Sequence, residues 1–201
     1  MQETTKYGVA VFDFDGTIIH GDSFISFARF AVGNLHFAIA ALMSSPWLVA
    51  WKLKIIPGGK AKEHLFRNLY RGMNIVEFKK HCRDFTPWIQ SHMIAGTAEK
   101  LNRHTSLGHR IYIISASPAE WIRPWAAAAG IPENNIAGTE IELTPDGNIT
   151  GYFASPNCRG IEKVNRLKKI EPRRENYELW AYGDSSGDTE MLAFADHPYR
   201  I

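Results

Sequence analysis

Val9-Ala10-Val11-Phe12-Asp13-Phe14-Asp15-Gly16-Thr17 is the stretch on which the reading of this chain turns. Four apolar residues run directly into two carboxylates, a glycine and a hydroxyl. Charge inside a buried strand is costly unless something compensates it, so the change from apolar to acidic marks the end of a strand. Asp13 and Asp15 stand two apart and would leave the same face of an extended segment. Two like charges so placed call for a cation between them, or for a raised pKa on one. The plain alternative is a strand that closes in an Asp-Gly turn. The rest of the chain weighs against it.

The same pattern recurs downstream. His109 to Ser115 reads as a second buried strand, followed by a helix starting near Pro118. Leu179 to Asp184 is a short strand ending in Gly-Asp, with a helix from about Asp188 to Phe194. Strands alternating with helices argue for α/β architecture with a doubly wound parallel sheet, where ligands bind beyond the strands' carboxyl ends. Asp13/Asp15, Ser115/Ser117 and Asp184 all fall at such ends. Between them, Glu140 to Phe153 alternates around Pro145-Asp146-Gly147-Asn148 and reads as a β-hairpin. Asp22 or Ser23 caps a helix through Phe24 to Val32 that Gly33 ends. Leu35 to about Gln90 reads as helical throughout, with breaks at Pro46, Pro57-Gly58-Gly59 and Gly72, and a further helix spans Gly96 to Ser106. The expected organisation is an α/β core of residues 1–18 and 91–201, with residues 19–90 inserted as a helical cap over the crevice. Near Pro198-Tyr199-Arg200 another strand begins.

At 201 residues with 45% hydrophobic content, the chain is long enough for one domain with a real core, or a core plus an insertion. A net charge of +2 makes no global case for nucleic acid, and aromatic residues do not interleave with the basic runs in a stacking pattern. Locally the balance is uneven: Trp51 to Arg83 holds nine Lys/Arg against Glu63 and Glu77. Such a patch suits an anionic substrate or membrane face, although solvated helix faces account for most runs of this kind. Cys82 and Cys158 are too few for a disulfide framework and lack metal-ligand spacing. The polar start, Met1 to Tyr7, has no apolar signal region, so the expected setting is cytoplasmic. Phe37 to Trp51 runs fifteen residues without a charge. That is short of the roughly 20 a membrane span needs, and Ser44-Ser45-Pro46 interrupts it. Two short apolar helices meeting at Pro46 are expected. They either pack within the cap or, over residues 37–56, touch the cytoplasmic membrane face peripherally.

Asp13-Phe-Asp15-Gly-Thr17, Ser115, Lys163 and Gly183-Asp184-Ser-Ser-Gly-Asp188 follow one another in that order. The set resembles the haloacid dehalogenase superfamily of phosphatases, whose four motifs occur in this order, and the match covers nearly the whole chain. The resemblance implies a Rossmann-like core, Mg2+ as cofactor, and phosphomonoester hydrolysis through an aspartyl-phosphate. It assigns Asp13 as nucleophile, and Asp15 as the acid that protonates the leaving oxygen and later activates water. It gives Mg2+ to Asp13, the backbone carbonyl of Asp15, and Asp184. Ser115 and the amides from Ala116 onward would hold the phosphate, and Lys163 would neutralise both it and Asp13. Asp188 would orient Lys163 or a metal-bound water. Taken singly, Ser115 and Asp188 read equally as helix caps and Lys163 as a solvated first-turn lysine.

The helical insertion, the hairpin and Asn157-Cys-Arg-Gly-Ile-Glu-Lys163 are similar to the phosphoserine-phosphatase-like branch of that superfamily. There an acidic residue nine positions after the nucleophile contacts the substrate amine, and Asp22 holds that offset. Ser115-Ala-Ser-Pro118 departs from the branch's Ser-Gly-Gly, as does the apolar stretch through Trp47 and Trp51. Those departures resemble a group of bacterial hydrolases that includes phosphatidylglycerophosphatase C. The expected partner is therefore a phosphorylated small molecule or a phospholipid head group, with Asp22, Arg67, Arg71 and Asn157 as candidate substrate contacts. Lys52, Lys54, Lys60 and Lys62 beside an apolar cap suit a lipid phosphate at a membrane surface. Two other classes stand beside hydrolysis: a phosphotransferase that passes the aspartyl-phosphate to another acceptor, and a non-catalytic sensor of phosphorylated ligands. The sensor reading is weakened because Asp13, Asp15, Ser115, Lys163 and Asp184 are all intact.

Overall fold

A computed structural model describes residues 6–201, so most of the polar start read at Met1 to Tyr7 lies outside the described residues. β1 (Tyr7–Phe12), β2 (Arg110–Pro118) and β3 (Ile136–Thr139) are followed by a hairpin of β4 (Ile141–Leu143) and β5 (Ile149–Phe153). β6 (Tyr177–Gly183) and β7 (His197–Arg200) complete the strands. Five of them form a parallel sheet in the order β3-β2-β1-β6-β7, and β4 pairs antiparallel with β5. The run Val9 to Phe12 has no polar alternation because it is covered on both faces: all four residues are fully buried. Val9 and Val11 face one way, with Ala10 and Phe12 the other. The chain's direction of winding reverses between β1 and β6, and at such a switch point the strand ends diverge to leave a crevice.

Helices cover both faces. α1 (Ser23–Lys52), α2 (Gly58–Tyr70), α3 (Ile75–Asp84), α4 (Thr86–Ser91), α5 (Ala95–Ser106) and α6 (Ile122–Ala128) precede α7 (Ile161–Ile170) and α8 (Thr189–Phe194). Val9 and Val11 pack with Val164 and Leu167 of α7 and Met191 and Leu192 of α8. The opposite face is larger. Ala10, Phe12 and Phe14 belong to one apolar cluster with Phe27, Phe66, Tyr70 and Phe78, so α1 to α3 share a core with the sheet. Phe27 stands near its middle, stacked on Trp121 at 4.7 Å and meeting Phe78 and Phe85 edge-on at 5.3 Å.

Two local expectations need correction. α1 is interrupted at Gly33, as expected, but it does not stop at Pro46. Gly33 leaves helical geometry (φ 78°, ψ 161°) and kinks the helix, which then resumes and runs through Pro46 to Lys52. Pro46 is solvent-exposed, so the backbone bond it cannot donate is lost on the wet side, where water replaces it. One continuous apolar helix therefore stands where two short ones were expected. Second, β2 runs past Ser115 to Pro118, which pairs with Thr139 after a slip in register. A single 3-10 turn, Ala119–Trp121, then leads into α6, so the helix begins at Ile122 rather than near Pro118.

Candidate active site

β1 delivers Asp13 to the sheet's carboxyl edge, where its amide still bonds the Tyr182 carbonyl of β6 at 2.9 Å. β6 ends at Gly183 and places Asp184 beside it. The next residues turn tightly: Ser185 Oγ accepts from Gly187 N at 3.1 Å, and Asp188 Oδ2 accepts from Ser185 N at 3.0 Å. This reciprocal cap fixes Asp188, which is wholly buried. Gly160, at φ 62°, opens α7 so that Lys163 in its first turn points inward. Lys163 is only 2% exposed, and its Nζ donates to Asp13 Oδ1 and to Asp188 Oδ1, each at 2.5 Å. A buried ammonium held between two carboxylates is a strong local charge arrangement, and removing any member leaves another uncompensated. Burial pushes the Asp13 carboxyl up to about 7, against the pull of Lys163. Burial opposes the charge on Lys163, but Asp13 and Asp188 outweigh it and hold its pKa up.

Asp13, Asp184 and Asp188 each offer a carboxylate oxygen within 4.8 Å of the others. The Asp188 oxygens are already taken by Lys163 and Ser185. Asp184 is different: its Oδ1 is buried with no partner. Gly16, at φ +76°, lets the chain turn beside it, and a Cβ there would lie 2.2 Å from Asp184 Oδ2. Hard oxygen donors in a tight cluster, with one buried oxygen unsatisfied, fit a Mg2+ ion. Asp13 and Asp184 would hold it, with Asp188 engaged elsewhere.

Asp15 is held by a chain of hydroxyls. Its Oδ1 accepts from Ser23 N at 2.7 Å and its Oδ2 from Ser117 Oγ at 2.7 Å. Ser23 Oγ donates on to Ser117 Oγ at 3.3 Å and accepts from Trp121 Nε1 at 3.0 Å. Burial raises the Asp15 carboxyl above its ordinary value, while the bonds from Ser117 and Ser23 oppose it. Ser115 is fully buried within β2, three residues before its end, where its Oγ accepts from Ser117 N at 3.0 Å.

Asp13, Asp15, Ser115, Ser117, Lys163 and Asp184 line a single crevice of about 1230 Å³, together with Ala116, while Asp188, Ser23 and Trp121 stand buried behind them. Of the candidate substrate contacts, Asp22 and Asn157 line it. The structure does not bring Arg67 and Arg71 there. Arg67 reaches the hairpin, donating to Tyr152 Oη at 2.7 Å and lying over its ring, and Arg71 is exposed just past the end of α2. The basic residue that does enter is Lys62, whose Nζ donates to the Ala116 carbonyl at 2.9 Å over the Phe24 ring. Burial lowers its pKa, against the pull of Asp15 and Asp22. Sequence reading grouped Lys62 with the exposed Lys60 and missed its place, as it missed Ser23 and Trp121. One signal existed: Lys62 and Leu65 share a helix face with Ala61, which is buried.

Comparison with known proteins gives the family and the fold. The family described as haloacid dehalogenase-like hydrolase matches residues 10–193. The protein CicA of Caulobacter vibrioides is 32% identical over 195 residues, 96% of this chain and 86% of that protein. A phosphoserine phosphatase of Mycobacterium tuberculosis is 25% identical, over 92% of this chain and 61% of its own length. A Bordetella pertussis protein of unknown function has the same fold, with a TM-score of 0.77 at 21% identity, covering 94% of this chain and 87% of its own.

Proposed function

The chain belongs to the haloacid dehalogenase-like hydrolases, and from that membership we propose a magnesium-dependent phosphatase that works through an aspartyl-phosphate on Asp13. The observation that carries it is Lys163 bridging Asp13 and Asp188 beside the unsatisfied oxygen of Asp184. A mycobacterial relative named as a phosphoserine phosphatase supports the reaction class. An Asp13 oxygen attacks phosphorus, the ester P–O bond breaks, and Asp15 gives its proton to the leaving oxygen. Water then attacks the acyl phosphate, Asp15 takes its proton, and the bond to Asp13 breaks to release phosphate. A bound Mg2+ would offset the phosphate's charge as the two anions meet. Lys163 and Ser115 offer fixed donors to the same charge. The hydroxyl chain from Trp121 through Ser23 and Ser117 keeps Asp15 aimed into the crevice.

The test is hydrolysis of an aryl phosphate with Mg2+ and after chelation. The expected result is loss of turnover on chelation, recovery on adding Mg2+, and a fall of at least about a thousandfold in Asp13→Asn. Wild-type turnover in that variant would overturn the assignment.

The wall of the crevice bears on the substrate. Asp22 and Asn157 support a small polar monoester such as an amino-acid phosphate. Phe24, Leu48, Trp51 and Leu65 line the same crevice and favour a phosphomonoester with an apolar body. Rates on phosphoserine and on phosphatidylglycerophosphate, measured side by side, separate the two.

A further inference from the structure

The later part of α1, from Leu35 to Lys52, is mostly apolar and carries no charge between His36 and Lys52. Its inner face packs on α2: Ser44 Oγ accepts from Asn68 Nδ2 at 2.9 Å, and Trp47 stacks on His64 at 4.1 Å. Its outer face carries Leu35, Ile39, Leu42 and Val49, with Leu53 just beyond, spaced to form one line along a helix. Each is at least half exposed, Leu35 by 77% and Leu42 by 74%. At the helical rise this stripe is about 27 Å long. An isolated exposed leucine needs no explanation, but an unbroken apolar stripe of this length marks a surface that meets something apolar.

The charge around it says what. No acidic residue occurs between Asp22 and Glu63. At the stripe's end Lys52 and Lys54 are exposed, next to Trp51, while Lys60 is paired with Glu63 at 3.2 Å. Apolar side chains bordered by tryptophan and lysine match the boundary between anionic head groups and acyl chains. α1 is long and apolar enough to cross a membrane by length and composition. Crossing is opposed by the fold, since Phe24, Phe27 and Ala28 are core and Gly33 breaks the helix between the two parts. The helix would lie in the plane of the surface.

We infer that the outer face of α1 from Leu35 to Leu53 is a docking surface for an anionic lipid bilayer. Because Leu48 and Trp51 of this helix also line the crevice, docking sets the crevice mouth at head-group level. Docking itself does not rest on the phosphatase reading, and its test does not use catalysis as the readout.

Flotation of the full chain with vesicles of phosphatidylcholine, alone or mixed with phosphatidylglycerol, tests it. The expected result is association with the mixed vesicles only, weakened by salt. Leu42→Asp should lower the association at least about tenfold. Lys52→Glu with Lys54→Glu should do so to a similar degree. Both variants should unfold thermally in the same single cooperative transition as the wild type, which shows them folded. Failure of the wild type to float overturns the inference, as does equal flotation on neutral vesicles. So does a dimer in solution that Leu42→Asp converts to monomer, since the stripe would then be covered by a second copy.

Discussion

Gly16 shows how a single side chain's absence makes room for chemistry. Its positive φ and the 2.2 Å approach of Asp184 Oδ2 to a would-be Cβ give it two separate reasons to be glycine. Gly16→Ala should cost about 1–2 kcal/mol in backbone strain. It should also displace Asp184 and lower kcat/KM by about a hundredfold. Titration of activity against Mg2+ checks the second effect, and an unchanged Mg2+ response would contradict the placement of Asp184. His104 is an ionisable group outside the site. Its Nε2 bonds the Tyr182 hydroxyl at 2.9 Å and its Nδ1 bonds His109 at 2.8 Å, and burial lowers its pKa to about 4. The unfolded chain, with an ordinary histidine, binds that proton first as pH falls. Stability is therefore full above about pH 6.5 and declines toward pH 4, by about 3 kcal/mol from this group. In His104→Gln, thermal unfolding across that range should depend less steeply on pH than in wild type. An equal slope would contradict it.

At the level of elements, α1 does two jobs. Its first turns bury Phe24 and Phe27 against the sheet-side cluster, while its later turns leave an apolar face bare. Since Phe27 touches Trp121, Phe78 and Phe85, Phe27→Ala should cost about 3–5 kcal/mol and lower the melting temperature of the whole chain in one transition. Two separate calorimetric transitions, only one of them shifted, would show that α1 to α4 fold apart from the sheet. The strands were legible because β1, β2 and β6 are short apolar runs ending in polar clusters, a local signal. The continuity of α1 was not. Whether a proline breaks a helix depends on which side its lost bond faces, and that is settled by packing on α2.

For the molecule as a whole, the sequence order of the motifs became a place. Asp13 and Asp184 stand at the ends of adjacent strands, Ser115 on the next strand along, and Lys163 reaches in from a covering helix. That convergence follows from strand order, so it could be anticipated from alternating strands and helices. The fine wiring could not. Ser117 meets Asp15 across 102 residues and Trp121 meets Ser23 across 98, contacts that no local pattern encodes. For the same reason Lys62 enters the crevice while Arg67 turns to the hairpin, although both lie on α2. The central claim, covalent catalysis by Asp13, is tested most directly by quenching the enzyme in acid during turnover, reducing it with borohydride, and mapping its peptides. An acyl phosphate is reduced to an alcohol, so the account predicts homoserine at position 13 in wild type and none in Asp13→Asn. Reduction at another carboxylate, or none while phosphate is being released, would contradict it.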